Sequence, residues 1–210
     1  MINLQDKIRG SLIGGAIGDA LGYPIEFMAF RHIMEKYGNP ATQTGLTHYQ
    51  LSVTGKALIS DDTQMTLFTA NGLLFGVTRW FTSDSVMGDL DSYVYYAYRE
   101  WFETQIDAPI EEQGYYTCWL RKIPELNVER APGNTCLSAL EHKNEYPVQD
   151  MDYVNARINS SKGCGGIMRT APVALIYGEE DPNRTDMEAA QIAALTHGHP
   201  LGFLPSAVLN

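Results

Sequence analysis

The sequence predicts an all-α fold, built as a compact multi-helix domain, on three observations. Apolar residues recur at three- and four-residue steps through several segments. Strand-type alternation never persists, and no two-residue hairpin signal separates apolar runs. No stretch repeats another, which argues against a helical solenoid. The 210 residues read as one domain, 1–210. With 44% hydrophobic and 19% charged residues, global disorder is excluded.

The first element covers residues 6 to 22, DKIRGSLIGGAIGDALG, where Gly10, Gly14, Gly18 and Gly22 recur every four residues and share one side of a helix. Interior glycines cost a helix up to about 1 kcal/mol each. Either close packing against another helix or a helix end approaching a ligand has to compensate. Residues 31 to 58, broken by Gly38-Asn39-Pro40, Gly45 and Gly55, read as a long loop with at most a short helix.

From Asp61 the pattern of Met65, Leu67, Phe68, Leu73, Leu74 and Phe75 fits a largely buried helix with Ser60 as N-cap. Residues 84 to 106 continue as an amphipathic, aromatic-rich helix carrying Val86, Leu90, Val94, Ala97, Tyr98 and Trp101. A short helix is expected over Glu111 to Arg121, and another opens at Pro132-Gly133-Asn134 and runs to about Lys143. Residues 144 to 163 form a polar connection. Gly163-Cys164-Gly165-Gly166 then precedes the apolar run Ile167 to Tyr177, and a last helix from Thr185 is interrupted at His197-Gly198-His199-Pro200.

Fifteen Lys and Arg against 25 Asp and Glu leave a net charge of −10. That balance, without a basic cluster, opposes nucleic-acid and anionic-membrane partners. No apolar run approaches the ~20 residues of a spanning helix, and the segment from Met1 to Arg9, followed by a short apolar stretch that meets Asp19, is expected to be part of the fold rather than an export signal. Three widely spaced cysteines, Cys118, Cys136 and Cys164, form no CxxC pair, so a reducing, cytoplasmic setting is expected.

Three segments could carry chemistry. Ser60-Asp61-Asp62-Thr63 offers hard oxygen ligands of the kind Mg²⁺, Mn²⁺ or Ca²⁺ takes, although a serine cap followed by first-turn acids is also what a helix dipole favours. Gly18-Asp19-Ala20-Leu21-Gly22-Tyr23-Pro24-Ile25-Glu26 breaks the glycine helix and delivers the Glu26 carboxylate, a candidate acid or base. Ser161-Lys162-Gly163-Cys164-Gly165-Gly166-Ile167-Met168-Arg169 is a glycine loop feeding a helix, whose N–H groups suit a phosphate or pyrophosphate. Gly133-Asn134-Thr135 could form a smaller anion site. His197 and His199 are weak evidence for metal, and Cys164 lacks the surroundings of a nucleophile.

In order, GSLIGGAIGDALGYPIEF, SDDTQM, APGNTCLSAL, GCGGIMRTAPV and THGHPLGFLPSAVL closely resemble the ADP-ribosylglycohydrolase family across nearly the whole chain. The resemblance implies an all-α fold and two Mg²⁺ or Mn²⁺ ions at which an ADP-ribose glycosidic bond is hydrolysed. It implies Ser60, Asp61 and Asp62 as metal ligands, and Glu26 with Asp62 as the catalytic pair. Gly133, Asn134, Thr135, Gly163, Cys164, Gly165, Gly166, Ile167, Met168 and His197 would line the ADP-ribose. Substrates would be ADP-ribosylated proteins or small molecules.

Family members carry a later D-x-D-[ST] motif that completes the metal site. Asp89-Leu90-Asp91-Ser92 matches its letters but follows the first metal helix too closely and is expected to be a decoy. The chain is therefore expected to lack a C-terminal part, through a natural truncation or with the remainder in another chain, and to hold metal weakly. A non-catalytic ADP-ribose binder or structural relative is the alternative.

Overall fold

The computed structural model describes residues 3–39, 46, 48–83, 89–110, 117–141, 151–177 and 181–210. Among them the regular structure is helical, apart from one isolated antiparallel bridge, Leu51 to Ala57. The helices are α1 (Leu4–Gly22), α2 (Phe30–Tyr37), α3 (Asp61–Thr82), α4 (Leu90–Gln105), α5 (Asn134–Glu141), α6 (Tyr153–Ala156), α7 (Pro172–Tyr177), α8 (Pro182–Ala194) and α9 (Pro200–Leu209).

Two helix pairs organise the core, α3 on α4 and α8 on α9. Met65, Phe68 and Leu73 of α3 meet Val94, Tyr98 and Trp101 of α4, all fully buried. The helices close tightly at Gly72, where a Cβ would lie 2.8 Å from the Val94 Cα. Ile192, Ala193 and Phe203 extend the same core through α8 and α9. Burial of such side chains stabilises by roughly 1.5–3 kcal/mol each.

A buried amide network then fixes the start of α3. Gln64 Oε1 accepts from Trp101 Nε1 at 3.2 Å and from Gln105 Nε2 at 3.1 Å, while Gln64 Nε2 donates to the Val128 carbonyl at 3.0 Å. This holds the segment after Leu126 against α3, where the Asp61 N–H donates to the Arg130 carbonyl at 2.9 Å.

Several expected elements differ in extent. Of the helix expected over Glu111 to Arg121, residues 111–116 lie outside the described residues, and a 3₁₀ turn spans Trp119–Lys122. The amphipathic helix starts at Leu90, with residues 84–88 outside the description. The helix opening at Asn134 is described to Glu141, short of Lys143. The polar connection contains α6, its residues 144–150 lying outside the description, and the run from Ile167 divides into a 3₁₀ turn, Ile167–Arg169, and α7. Within 31–58, α2 is the short helix, and residues 40–45 and 47 fall outside the description.

Ala20 is the one buried residue of α1. A Cβ at Gly10, Gly14, Gly15, Gly18 or Gly22 would meet nothing within 4 Å. Close helix packing is therefore not what these glycines provide among the described residues. Gly15, Gly18 and Gly22 instead border a cavity.

Candidate active site

The cavity, about 610 Å³, gathers three segments that are distant in sequence. The end of α1 and the 3₁₀ turn Tyr23–Ile25 contribute Asp19, Tyr23 and Glu26. The start of α3 contributes Ser60, Asp62, Thr63 and Thr66, and the glycine loop contributes Cys164, Ile167 and Met168.

Asp19 fastens the first two segments together. Its Oδ2 accepts from the Ser60 N–H at 2.8 Å, the Thr63 N–H at 3.2 Å and the Thr63 hydroxyl. These are the otherwise unpaired donors of a helix N-terminus, where a carboxylate is favoured. Ser60 caps the same turn, its Oγ accepting from the Asp62 N–H at 3.1 Å. Thr66 joins α3 to the third segment, donating to Asp62 O at 2.7 Å and to Met168 O at 3.2 Å.

The two adjacent aspartates turn different ways. Asp61 is buried, and its Oδ2 accepts from the Gly133 N–H at 3.2 Å. Gly133 thus serves Asp61 and does not line the cavity. Asp62 reaches solvent through the open cavity. Burial pushes the Asp61 carboxyl up to about 7, relieved in part by the Gly133 N–H and reinforced by Asp62 and Glu26. Asp62 is pushed up to about 6 by the protein packed around it, then by Asp19 and Glu26. Glu26 is raised by the same two causes, desolvation first and Asp19 second.

Crowded carboxylates that raise one another's pKa offer the charge and the hard oxygens that a divalent ion takes. Asp61, Asp62 and the Ser60 hydroxyl fit such an ion in kind. In number they fall short, since among the described residues no three His, Cys, Asp or Glu side chains group closely enough to hold a metal.

The glycine loop is shaped by what it touches. A Cβ at Gly166 would lie 2.5 Å from the Gly202 carbonyl oxygen, so the loop approaches α9 backbone to backbone. A Cβ at Gly163 or Gly165 would lie 3.2 Å from His197 Nε2. His197, only 2% exposed, therefore packs on this loop, whereas Cys164, Ile167 and Met168 face the cavity. Burial, with Arg169 second, lowers the His197 pKa to about 4. Thr135 Oγ1 reaches Ser161 Oγ at 3.2 Å, which ties α5 to the loop, while Asn134 opens α5.

Asp89 and Asp91 line a second cavity with Asp152, Asp181 and Glu188 that shares no residue with the first. The D-x-D-S match is thus remote from the Asp62 site.

The profile of the ADP-ribosylglycohydrolase family matches residues 1–210. The chain belongs to the ADP-ribosylglycohydrolase family. It is also 28% identical, over 199 residues, to the ADP-ribosyl-[dinitrogen reductase] glycohydrolase of Rhodospirillum rubrum. That alignment covers 95% of this chain and 54% of the relative, so the chain spans about half the relative's length. No described helix is long and apolar enough to cross a membrane, and the three cysteines are free thiols.

Asp19, Asn159, Arg169 and Thr196 were not singled out as site residues by sequence. Asn159 Oδ1 accepts from the N–H groups of Ser161 at 3.0 Å and Gly198 at 2.9 Å, stapling the glycine loop to the α8–α9 turn. For Arg169 a signal existed, a lone cation inside the apolar run from Ile167 to Tyr177.

Proposed function

We propose that this chain belongs to a hydrolase that cleaves the glycosidic bond between ADP-ribose and a protein side chain or small acceptor. One observation carries the reading: Glu26, Asp62 and the glycine loop border one cavity. Family membership supports the reaction class.

Glu26 extends from the cavity rim, where its raised pKa suits proton transfer with water or the leaving group. Asp62 shares the cavity and would position the ribose end of the substrate. Backbone N–H groups from Gly163 to Met168 would receive the pyrophosphate, with His197 behind them. A divalent ion, Mg²⁺ or Mn²⁺, would be held by Ser60, Asp61 and Asp62, and when bound would orient ribose hydroxyls and acidify water. Soluble, cytoplasmic use is the setting that three free thiols suit.

The deciding experiment is release of free ADP-ribose from an ADP-ribosylated arginine substrate with Mg²⁺ present, by wild type and Glu26→Gln. Turnover lost in Glu26→Gln with ADP-ribose binding retained supports the reading. Equal turnover by both proteins would refute the role of Glu26, and saturable ADP-ribose binding by wild type without turnover of arginine-, serine- or small-acceptor-linked ADP-ribose would assign a binder instead.

A further inference from the structure

We propose that Arg169 and Thr196 are positioning residues that lock His197 into the tautomer carrying its proton on Nε2, presenting a fixed N–H to a ligand oxygen at the Gly163–Gly165 loop. The nature of that ligand rests on the ADP-ribose reading above, whereas the tautomer does not.

Arg169 is fully buried on the 3₁₀ turn after the glycine loop, and among the described residues no carboxylate pairs with it. Its NH2 group donates to Thr196 Oγ1 at 2.7 Å, Ile192 O at 3.2 Å and Ala193 O at 3.4 Å. Its NH1 group reaches Cys136 Sγ at 3.4 Å and Met65 Sδ at 3.6 Å, and the guanidinium stacks 4.5 Å over the Tyr98 ring. A buried cation without a counter-charge is costly to keep for packing alone.

A guanidinium can only donate. Thr196 Oγ1 therefore accepts from Arg169, which leaves its own single proton to give away. The near acceptor is His197 Nδ1 at 2.8 Å, since Cys136 Sγ lies 4.0 Å off. Polarised by the guanidinium, the hydroxyl gives its proton to Nδ1, the nearer of its two partners, and the neutral ring then carries its proton on Nε2. The lowered pKa of His197 agrees with a neutral ring at pH 7.

Nε2 is the end of the ring that faces the glycine loop. No described residue hydrogen-bonds it, although His197 is 98% removed from solvent (2% exposed). A donor held this rigidly and left unpaired matches an anionic or hydroxyl oxygen of a ligand such as the ADP-ribose phosphates.

The test is an NMR spectrum of ¹⁵N-histidine-labelled protein, with the His197 ring assigned by a His197→Gln variant. Wild type and Thr196→Ser should show a protonated Nε2 and an unprotonated, hydrogen-bonded Nδ1, and Thr196→Val should shift the Nδ1 resonance. A proton on Nδ1 in wild type, or an Nδ1 resonance unmoved in Thr196→Val, overturns the proposal. In parallel, ADP-ribose affinity should fall about tenfold in Thr196→Val and stay near wild type in Thr196→Ser. Equal affinity in all three overturns the ligand contact. A folded wild type that binds no ADP-ribose overturns the functional reading and the ligand contact together, and the spectrum still decides the tautomer.

Discussion

The Asp19 carboxylate accepts from both the backbone N–H and the hydroxyl of Thr63, across forty-four residues of sequence, and so sets the end of α1 against the start of α3. Glu26 follows the end of α1 and Asp62 opens α3, so the joint bears on how far apart they lie. Replacing Asp19 with Ala strands the Ser60 and Thr63 donors and is expected to cost about 2–3 kcal/mol. A double-mutant cycle with Thr63→Val, read by urea denaturation, should give a coupling of about 1 kcal/mol or more. Additive losses would mean that the joint is held by something else.

Glycines in this chain divide into two kinds, and alanine substitution should separate them. At Gly166 a methyl would run into the Gly202 carbonyl, and the expected loss is about 1–3 kcal/mol. At Gly14 the same methyl meets open space on an exposed helix face, so Gly14→Ala should gain up to about 1 kcal/mol of stability. Thermal melts of the two variants suffice. A lowered Tm for Gly14→Ala would show that something packs on this face of α1.

That contrast also marks what the sequence could tell. Helical periodicity over 61–82 and 90–105 made the α3–α4 core legible, because each of these helices buries a face that its own spacing announces. The acids at the start of α3 were legible for the same local reason. What Asp61 and Asp62 do individually was not, since Asp61 turns to Gly133 only through contacts with a segment seventy-two residues away. The α1 glycines showed a stripe but not whether a helix or a cavity faced it. Arg169 and Thr196 were invisible as a pair, because a buried relay is a property of three-dimensional neighbours.

Divalent ions should stabilise the folded chain. The buried Asp61 is repelled by Asp62 and Glu26, which border the open cavity, and a bound Mg²⁺ would relieve that repulsion. Millimolar Mg²⁺ is expected to raise Tm by a few degrees, EDTA to reverse the rise, and Asp62→Asn to abolish it. A Mg²⁺ response undiminished in Asp62→Asn would move the ion elsewhere on the protein.

The second acidic cluster should add its own share to the pH dependence of stability, alongside Asp61 and Asp62. Glu188 is pushed up to about 7 by burial, then by Asp91 and Asp89, with Arg184 and the Asp91 N–H opposing. Its Oε1 is buried without a hydrogen-bond partner. A carboxyl whose folded pKa lies above its unfolded value, near 4.5, favours the fold in the protonated form. Its contribution is complete below about pH 4.5 and is lost as pH rises through about 7. Glu188→Gln keeps the shape without the charge, so it should match wild type near pH 4.5 and exceed it at pH 8 by on the order of 2 kcal/mol. Denaturation curves at the two pH values check the sign. An advantage for the variant that was the same at both would remove Glu188 as the titrating group.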